Sequence, residues 1–149
     1  MLYLILKTIH ILAVTTALGT NLTYGFLMNR AERQPDQILY MLNTIRWLDR
    51  TLANRSYLVV LLTGLAMIWR NGYGWNETWL WLSLILFILI ALSGIFFYAP
   101  IIKKQVSMLE KNRTATSEYK KIHRLSKILG LLITLISVGI LVMMVVKPA

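Results

Sequence analysis

The sequence predicts an all-α fold, a four-helix bundle embedded in a membrane. Hydrophobic residues make up 57% of the 149 residues, and the mean hydropathy is +0.62, far from the composition of an ordinary soluble domain. Charged residues divide the chain into four mainly apolar intervals, and a helix needs about 20 such residues to cross a bilayer. No linker composition interrupts residues 1–149, so we expect one domain.

The four spans are predicted at about 2–29, 54–70, 78–102 and 127–147. The first begins without a basic segment and is too long for a signal peptide, so we expect it to be retained. The second is short, because only 14 residues separate Arg55 from Arg70, but both guanidinium groups can reach the headgroups. The third has 25 uncharged residues after Glu77, and the fourth has 19 after Lys127.

The distribution of charge predicts the orientation. Residues 29–55 carry five arginines and residues 103–127 carry eight lysines or arginines, whereas residues 71–76 carry none. Basic loops stay in the cytoplasm, so both termini are expected outside the bacterial inner membrane. The net charge of +10 then reflects topology, and no nucleic-acid partner is expected. Anionic lipid headgroups are the expected partners of the basic loops, and a homo-oligomer or a membrane partner subunit is left open.

Amphipathic helical extensions are predicted on the cytoplasmic side. Pro35 and Asp36 are typical of a helix start, and the helix after them is expected to continue into the second span. Its polar face carries Asp49 together with Arg46 and Arg50. The third helix is expected to extend beyond Pro100, to turn near 112–117, and to be followed by the fourth helix. The apolar face of the first extension consists of Ile38, Met41, Leu42, Ile45, Leu48 and Leu52.

Polar residues at helical spacing predict the inner face of the bundle, because helices in lipid associate through small residues and interhelical hydrogen bonds. His10 lies on this face, about 12 Å below the outer end and thus near mid-membrane. Thr63 and Ser137 are expected near the same depth. Besides His10, the predicted polar bundle face consists of Lys7, Asn21, Tyr24, Thr63, Thr134 and Ser137.

An ionisable residue inside a membrane is a functional-site hypothesis, and His10 is the candidate. One interpretation is an axial ligand of haem b. His10 lies about 27 Å from the inner end, where His123 is expected, so a second ligand would be a methionine, Met67 or Met143. In this interpretation the protein is a small redox protein.

Two other function classes remain open. His10 can be structural, bonded to Thr63 or Ser137, with the methionines filling space. The protein is then a non-catalytic membrane protein or a partner subunit whose polar stripe only packs helices, without a cofactor. Copper(I) binding by the same histidine and methionines, or transport, is the third class. No span contains Asp or Glu, which argues against proton-coupled transport. The sequence assigns no catalytic residue.

Both ends of the chain resemble a known family. The segment LYLILKTIHILAVTTALG, with its tyrosine and its lysine three residues before the histidine, resembles the first span of HemJ-type protoporphyrinogen oxidases, and GILVMMVVKP resembles their last span. This resemblance implies a membrane oxidoreductase in which His10 binds haem b. Those oxidases also carry a lysine in the third span, which is absent here. The chain therefore resembles more closely a related bacterial family of four-span integral membrane proteins of unknown function, within the copper-resistance-D-like group.

Overall fold

Helices account for nearly all of the residues that the computed structural model describes, which are 1–71, 77–112 and 116–147. Most of the expected outer turn, at 72–76, and the centre of the expected turn at 112–117 lie outside these residues. A short 3₁₀ helix, Pro35–Gln37, precedes the second α-helix. In the described ranges the α-helices are α1 Leu2–Arg33, α2 Ile38–Leu48, α3 Asn54–Asn71, α4 Thr78–Ser93, α5 Ala99–Glu110 and α6 Ser117–Val146.

Two π-helical turns join helices without ending the helical path. Asp49–Ala53 connects α2 to α3, and Gly94–Tyr98 connects α4 to α5. Pro35–Arg70 therefore forms one helical stretch of 36 residues, and Thr78–Glu110 forms one of 33 residues. With α1 and α6, the described residues contain four helices long and apolar enough to cross a membrane. The predicted all-α membrane bundle with helical extensions is confirmed.

The length of these helices explains why the second span looked short in the sequence. At about 1.5 Å per residue, helices of 30 to 36 residues are roughly 45–54 Å long, whereas a hydrocarbon core is about 30 Å thick. Each helix therefore extends well beyond the hydrocarbon. Arg55 lies within a continuous helix, so the arginine does not mark a helix end.

The helices pack around α1. This helix packs along α3 and α6, and α4 packs against α6, whereas α3 and α4 make little backbone contact with each other. We call the end of the bundle with Leu2 and Val146 the terminal end, and the end with Arg33 and Ser117 the basic end. The separation of α3 from α4 leaves room for two interior cavities.

The basic end contains the best-packed core. There α2 packs against α1 and α5, and Leu42 and Ile45 are fully enclosed. Towards the terminal end, large aliphatic and aromatic side chains cover the outside of the helices, as lipid contact requires. The main cluster of buried core residues consists of Tyr24, Met28, Leu42, Ile45, Tyr98, Ile102 and Val106.

Ionic and polar contacts hold the basic end together. The Lys127 Nζ donates to both carboxylate oxygens of Glu32 at 2.8 and 3.0 Å, and His123 Nε2 lies 2.9 Å from the same carboxylate. These contacts join α1 to α6. The Gln105 amide donates to the Ser126 hydroxyl at 3.1 Å and joins α5 to α6. The helices of the basic end are therefore fixed to one another by directional bonds as well as by packing.

Candidate functional site

A cavity of about 610 Å³ lies near the terminal end, among α1, α3, α4 and α6. We call it the terminal-end cavity. Its volume is within the range of about 300–1,000 Å³ that is usual for small-molecule and cofactor sites. Most of its wall is aliphatic or aromatic, with a few polar groups placed at particular depths. The polar residues that line it include Lys7, His10, Asn21, Ser83, Ser137 and Lys147.

The hydrogen bonds around His10 favour one position for its ring proton. His10 Nδ1 lies 2.8 Å from Thr63 Oγ1. The Thr63 hydroxyl lies 2.6 Å from the Val59 carbonyl oxygen, so its single proton is donated within α3. The Thr63 oxygen can then only accept, and the His10 Nδ1–H donates to it. A neutral imidazole with its proton on Nδ1 has its lone pair on Nε2.

The imidazole of His10 lines the terminal-end cavity. Besides Thr63, the backbone of Val60 in α3 also hydrogen-bonds the imidazole. Gly64 lies beside the ring, and a Cβ atom built there would be 3.4 Å from His10 Cε1, so a side chain larger than alanine would press on the imidazole. The half-buried His10 is thus held by α3 at Nδ1 and lines an apolar cavity, an arrangement that suits a metal-ligating histidine.

Two cationic side chains line the same cavity closer to the terminal end. Lys7 precedes His10 by one helical turn, about 4.5 Å along α1. Lys147 ends α6 with a left-handed φ of 47°, and its Nζ lies 5.5 Å from the centre of the Trp79 ring, within the range of a cation–π contact. The cavity therefore has an apolar body with positive charge towards one end.

Ser83 places an unsatisfied polar group in the wall of this cavity. Its side chain is fully buried, and its Oγ has no hydrogen-bond partner among the described residues. Buried hydroxyls normally have a partner, because leaving one unpaired costs about 1–3 kcal/mol. The Ser83 hydroxyl is therefore available to a molecule bound in the cavity.

The predicted site residues fall into two groups. Lys7, His10, Asn21, Met67 and Ser137 line the terminal-end cavity, with the buried Thr63 behind His10. Tyr24 and Thr134 line a second cavity instead.

The predicted methionine and hydroxyl residues differ in what they offer to the cavities. Met143 does not line the terminal-end cavity, whereas its neighbour Met144 does. The Ser137 and Thr134 hydroxyls donate to the carbonyls of Ile133 and Gly130 in their own helix, at 2.7 and 2.8 Å. Like Thr63, both therefore offer only acceptor capacity to the interior.

The second cavity, which we call the basic-end cavity, has a volume of about 860 Å³. Asn21, Tyr57 and Phe87 line both cavities. The Asn21 amide donates to the Tyr57 hydroxyl at 2.7 Å, and the Tyr57 ring meets Phe87 edge to face at 5.9 Å. These side chains form the wall shared by the two cavities. His123 lines only the basic-end cavity, so the two histidines of the chain belong to different sites.

Asp49 lies where the sequence did not predict it. The 3.6-residue periodicity assigned it to the polar face of the extension, but in the structure it lines the basic-end cavity and accepts a hydrogen bond of 3.3 Å from the Tyr24 hydroxyl. Asp49 begins the π-helical turn Asp49–Ala53. Such a turn is wider than an α-helical one, so the regular periodicity no longer gives the direction of the side chain.

Comparison with known protein families gives one match. The family described as Predicted integral membrane protein (DUF2269) matches residues 4–148. The chain belongs to this family. The DUF2269 match covers α1 to α6 and thus both cavities, and the function of this family is unknown. No curated protein matches the chain, and no solved structure matches it.

The role of Thr63 can be tested in this DUF2269 protein by replacing its hydroxyl group with a methyl group. Thr63→Val keeps the shape of the side chain but removes the hydroxyl oxygen that faces His10 Nδ1 at 2.8 Å. We expect the free energy of unfolding in detergent to fall by about 1–3 kcal/mol. Thr63→Ser keeps the acceptor and is the matched control. Equal losses for the two variants, measured by denaturant titration followed by circular dichroism, would show that the hydrogen bond is unimportant.

Proposed function

We propose that the protein binds haem b in the terminal-end cavity, with His10 as the axial ligand. The observation that supports this best is the imidazole itself, whose Nδ1 is bonded to Thr63 and which lines a largely apolar cavity. Histidines that ligate metals usually donate their other ring N–H to a protein acceptor, which sets their orientation. A bound haem supplies one-electron redox chemistry, and the protein supplies its orientation and electrostatics.

The cavity matches the chemistry of haem in two further respects. Haem is a broad apolar macrocycle with two carboxylates at one edge. The apolar wall of the terminal-end cavity suits the macrocycle, and the two cations near the terminal end, Lys7 and Lys147, suit the carboxylates. The unsatisfied hydroxyl of Ser83 adds a hydrogen-bonding group to the α4 wall of the cavity.

Methionine is the proposed second ligand. Met67 lines the cavity and Met143 does not, so the geometry favours Met67 of the two methionines expected from the sequence. Met144 lines it as well and is an additional candidate. A histidine and methionine pair raises the reduction potential of a haem relative to two histidines, which suits an electron-transfer protein.

The proposed activity is that of a membrane redox protein, distantly related to the HemJ-type oxidases and the copper-resistance-D-like proteins. The helix α4 contains no lysine, so the lysine that HemJ-type oxidases carry in the third span has no counterpart. We therefore propose haem binding and electron transfer rather than the oxidation of a porphyrinogen.

Two alternatives are favoured by specific observations. The first alternative is a non-catalytic protein in which His10 has a purely structural role, because Thr63 already satisfies its Nδ1. The second is copper(I) binding, because the thioethers of Met67 and Met144 line the same cavity as the imidazole and suit this soft ion.

We also propose the bacterial inner membrane as the location, with the basic end in the cytoplasm and both termini outside. The support is the concentration of lysine and arginine at the basic end, which follows the positive-inside rule. Lys103, Lys120 and Lys121 there are exposed and can attract anionic headgroups, at about 1 kcal/mol for each nearby charge. A second copy or a membrane partner subunit is a further proposal.

Haem binding is tested by absorption spectroscopy of protein purified in mild detergent from haem-replete cells. We expect a Soret band, and we expect His10→Ala to remove it because the axial ligand is lost. His123→Ala is the matched control, since it removes the other histidine, and it should keep the band.

The remaining outcomes distinguish haem binding from the copper and structural alternatives. Colourless wild-type protein that also fails to bind added haem would overturn the proposal. A colourless protein that retains Cu(I) through His10 and Met67 would support the copper alternative, and one that binds neither would leave the structural role.

The orientation is tested with reporters. A reporter fused after Ala149 should be active only in its periplasmic form, and one inserted after Asn112 should be active only in its cytoplasmic form, because the basic end is expected inside. The reverse pattern would contradict the orientation but not the haem proposal.

A further inference from the structure

Asp49 is a carboxylate without a cationic partner in a largely apolar cavity. Its hydrogen bond is the long one of 3.3 Å from the Tyr24 hydroxyl, and no ion pair involves it among the described residues. An ionised carboxylate in apolar surroundings is costly unless a positive charge or hydrogen bonds compensate it. A positive partner in the cavity would therefore stabilise the ionised form of Asp49.

The basic residues of the cavity do not supply that charge. Lys127 and His123 are engaged with Glu32, and Arg124 follows His123 in α6 and is exposed at the same end. Glu32 lies eight residues after Tyr24 on α1, which is about 12 Å along the helix axis. The cations are thus grouped around Glu32 at the basic end, and Asp49 lies further into the bundle, at the level of Tyr24.

Aromatic rings line the cavity around this carboxylate. Tyr24 and Tyr98 stack with their centroids 6.1 Å apart and their planes inclined by 12°, and Tyr57 lines the same cavity. Aromatic faces attract organic cations, most strongly where water is excluded. A carboxylate beside tyrosine rings is a combination that recognises a substituted ammonium group.

Two π-helical turns bring these groups together. Asp49 begins Asp49–Ala53, and Tyr98 ends Gly94–Tyr98. Both residues contact Tyr24, so the two irregular turns lie at the same depth in the bundle. π-helical turns are rare and are frequent at functional sites.

We propose that the basic-end cavity binds an organic cation with an apolar body, with Asp49 as its counter-charge and the rings of Tyr24 and Tyr98 against its cationic group. The cavity of about 860 Å³ is large enough for a molecule of drug size. Exposed apolar residues such as Leu58 and Leu131 line this cavity, so the apolar body of the cation can enter from the lipid. This site is separate from the haem proposal, because His10 lines only the other cavity.

The test uses two probes of the same shape and opposite charge, tetraphenylphosphonium and tetraphenylborate. Binding is measured by equilibrium dialysis with the full chain in detergent, against protein-free detergent as the blank. We expect saturable binding of the cation and none of the anion. Asp49→Asn should weaken cation binding by about 10-fold or more, since it removes the charge and keeps the shape. Asp36→Asn removes an exposed carboxylate outside the cavity and should leave it unchanged.

Further variants keep the proposal falsifiable if Asp49→Asn does not fold. Asp49→Glu should retain binding, and Tyr98→Leu should weaken it whereas Tyr98→Phe should not, because the ring and not the hydroxyl is required. His10→Ala should bind the cation normally, which separates this site from the haem site. Equal binding of both probes, or equal affinities of the Asp49→Asn and Asp36→Asn proteins, would overturn the proposal. Preference for the anion would also overturn it, because the basic residues around Glu32 would then be the binding group.

Discussion

Hydrocarbon offers no hydrogen-bond partner, so each polar side chain inside this bundle must find its partner within the protein. The hydroxyls of Thr63, Thr134 and Ser137 do so by donating to carbonyls of their own helices. This local bond uses the one proton of each hydroxyl and leaves only its acceptor capacity. For Thr63, this bond to Val59 favours His10 as the donor at Nδ1. The position of the imidazole proton, and with it the chemistry open to His10, thus depends on a bond within α3.

The same constraint explains why the two ends of the bundle differ. At the basic end, Glu32 is satisfied by Lys127 and His123, and aliphatic side chains fill the space between α2 and α5. Nearer the terminal end, α3 and α4 are not drawn together, and Ser83 lacks a partner among the described residues. The two cavities lie in this space between α3 and α4, and both binding proposals start from them.

Much of the architecture could be predicted from the sequence, because hydropathy and charge report directly on the membrane. Spans, helical extensions and the inward direction of His10 follow from residues spaced by three and four. The local environment of Asp49 could not be predicted in this way, since the turn Asp49–Ala53 departs from the α-helical period. Tyr98 lies in a second such turn. The role of Gly64 beside His10 depends on how two helices cross, which periodicity within one helix does not reveal.

In the proposed haem site, Thr63 holds the proton of His10 on Nδ1 and leaves Nε2 to bind iron. The most direct measurement is ¹⁵N solid-state NMR of histidine-labelled protein in bilayers, with His123→Gln so that His10 is the single histidine. The account predicts a neutral imidazole with a protonated Nδ1 and an unprotonated Nε2, and loss of the Nε2 signal when paramagnetic haem is added. A proton on Nε2, or a spectrum that haem leaves unchanged, would contradict it.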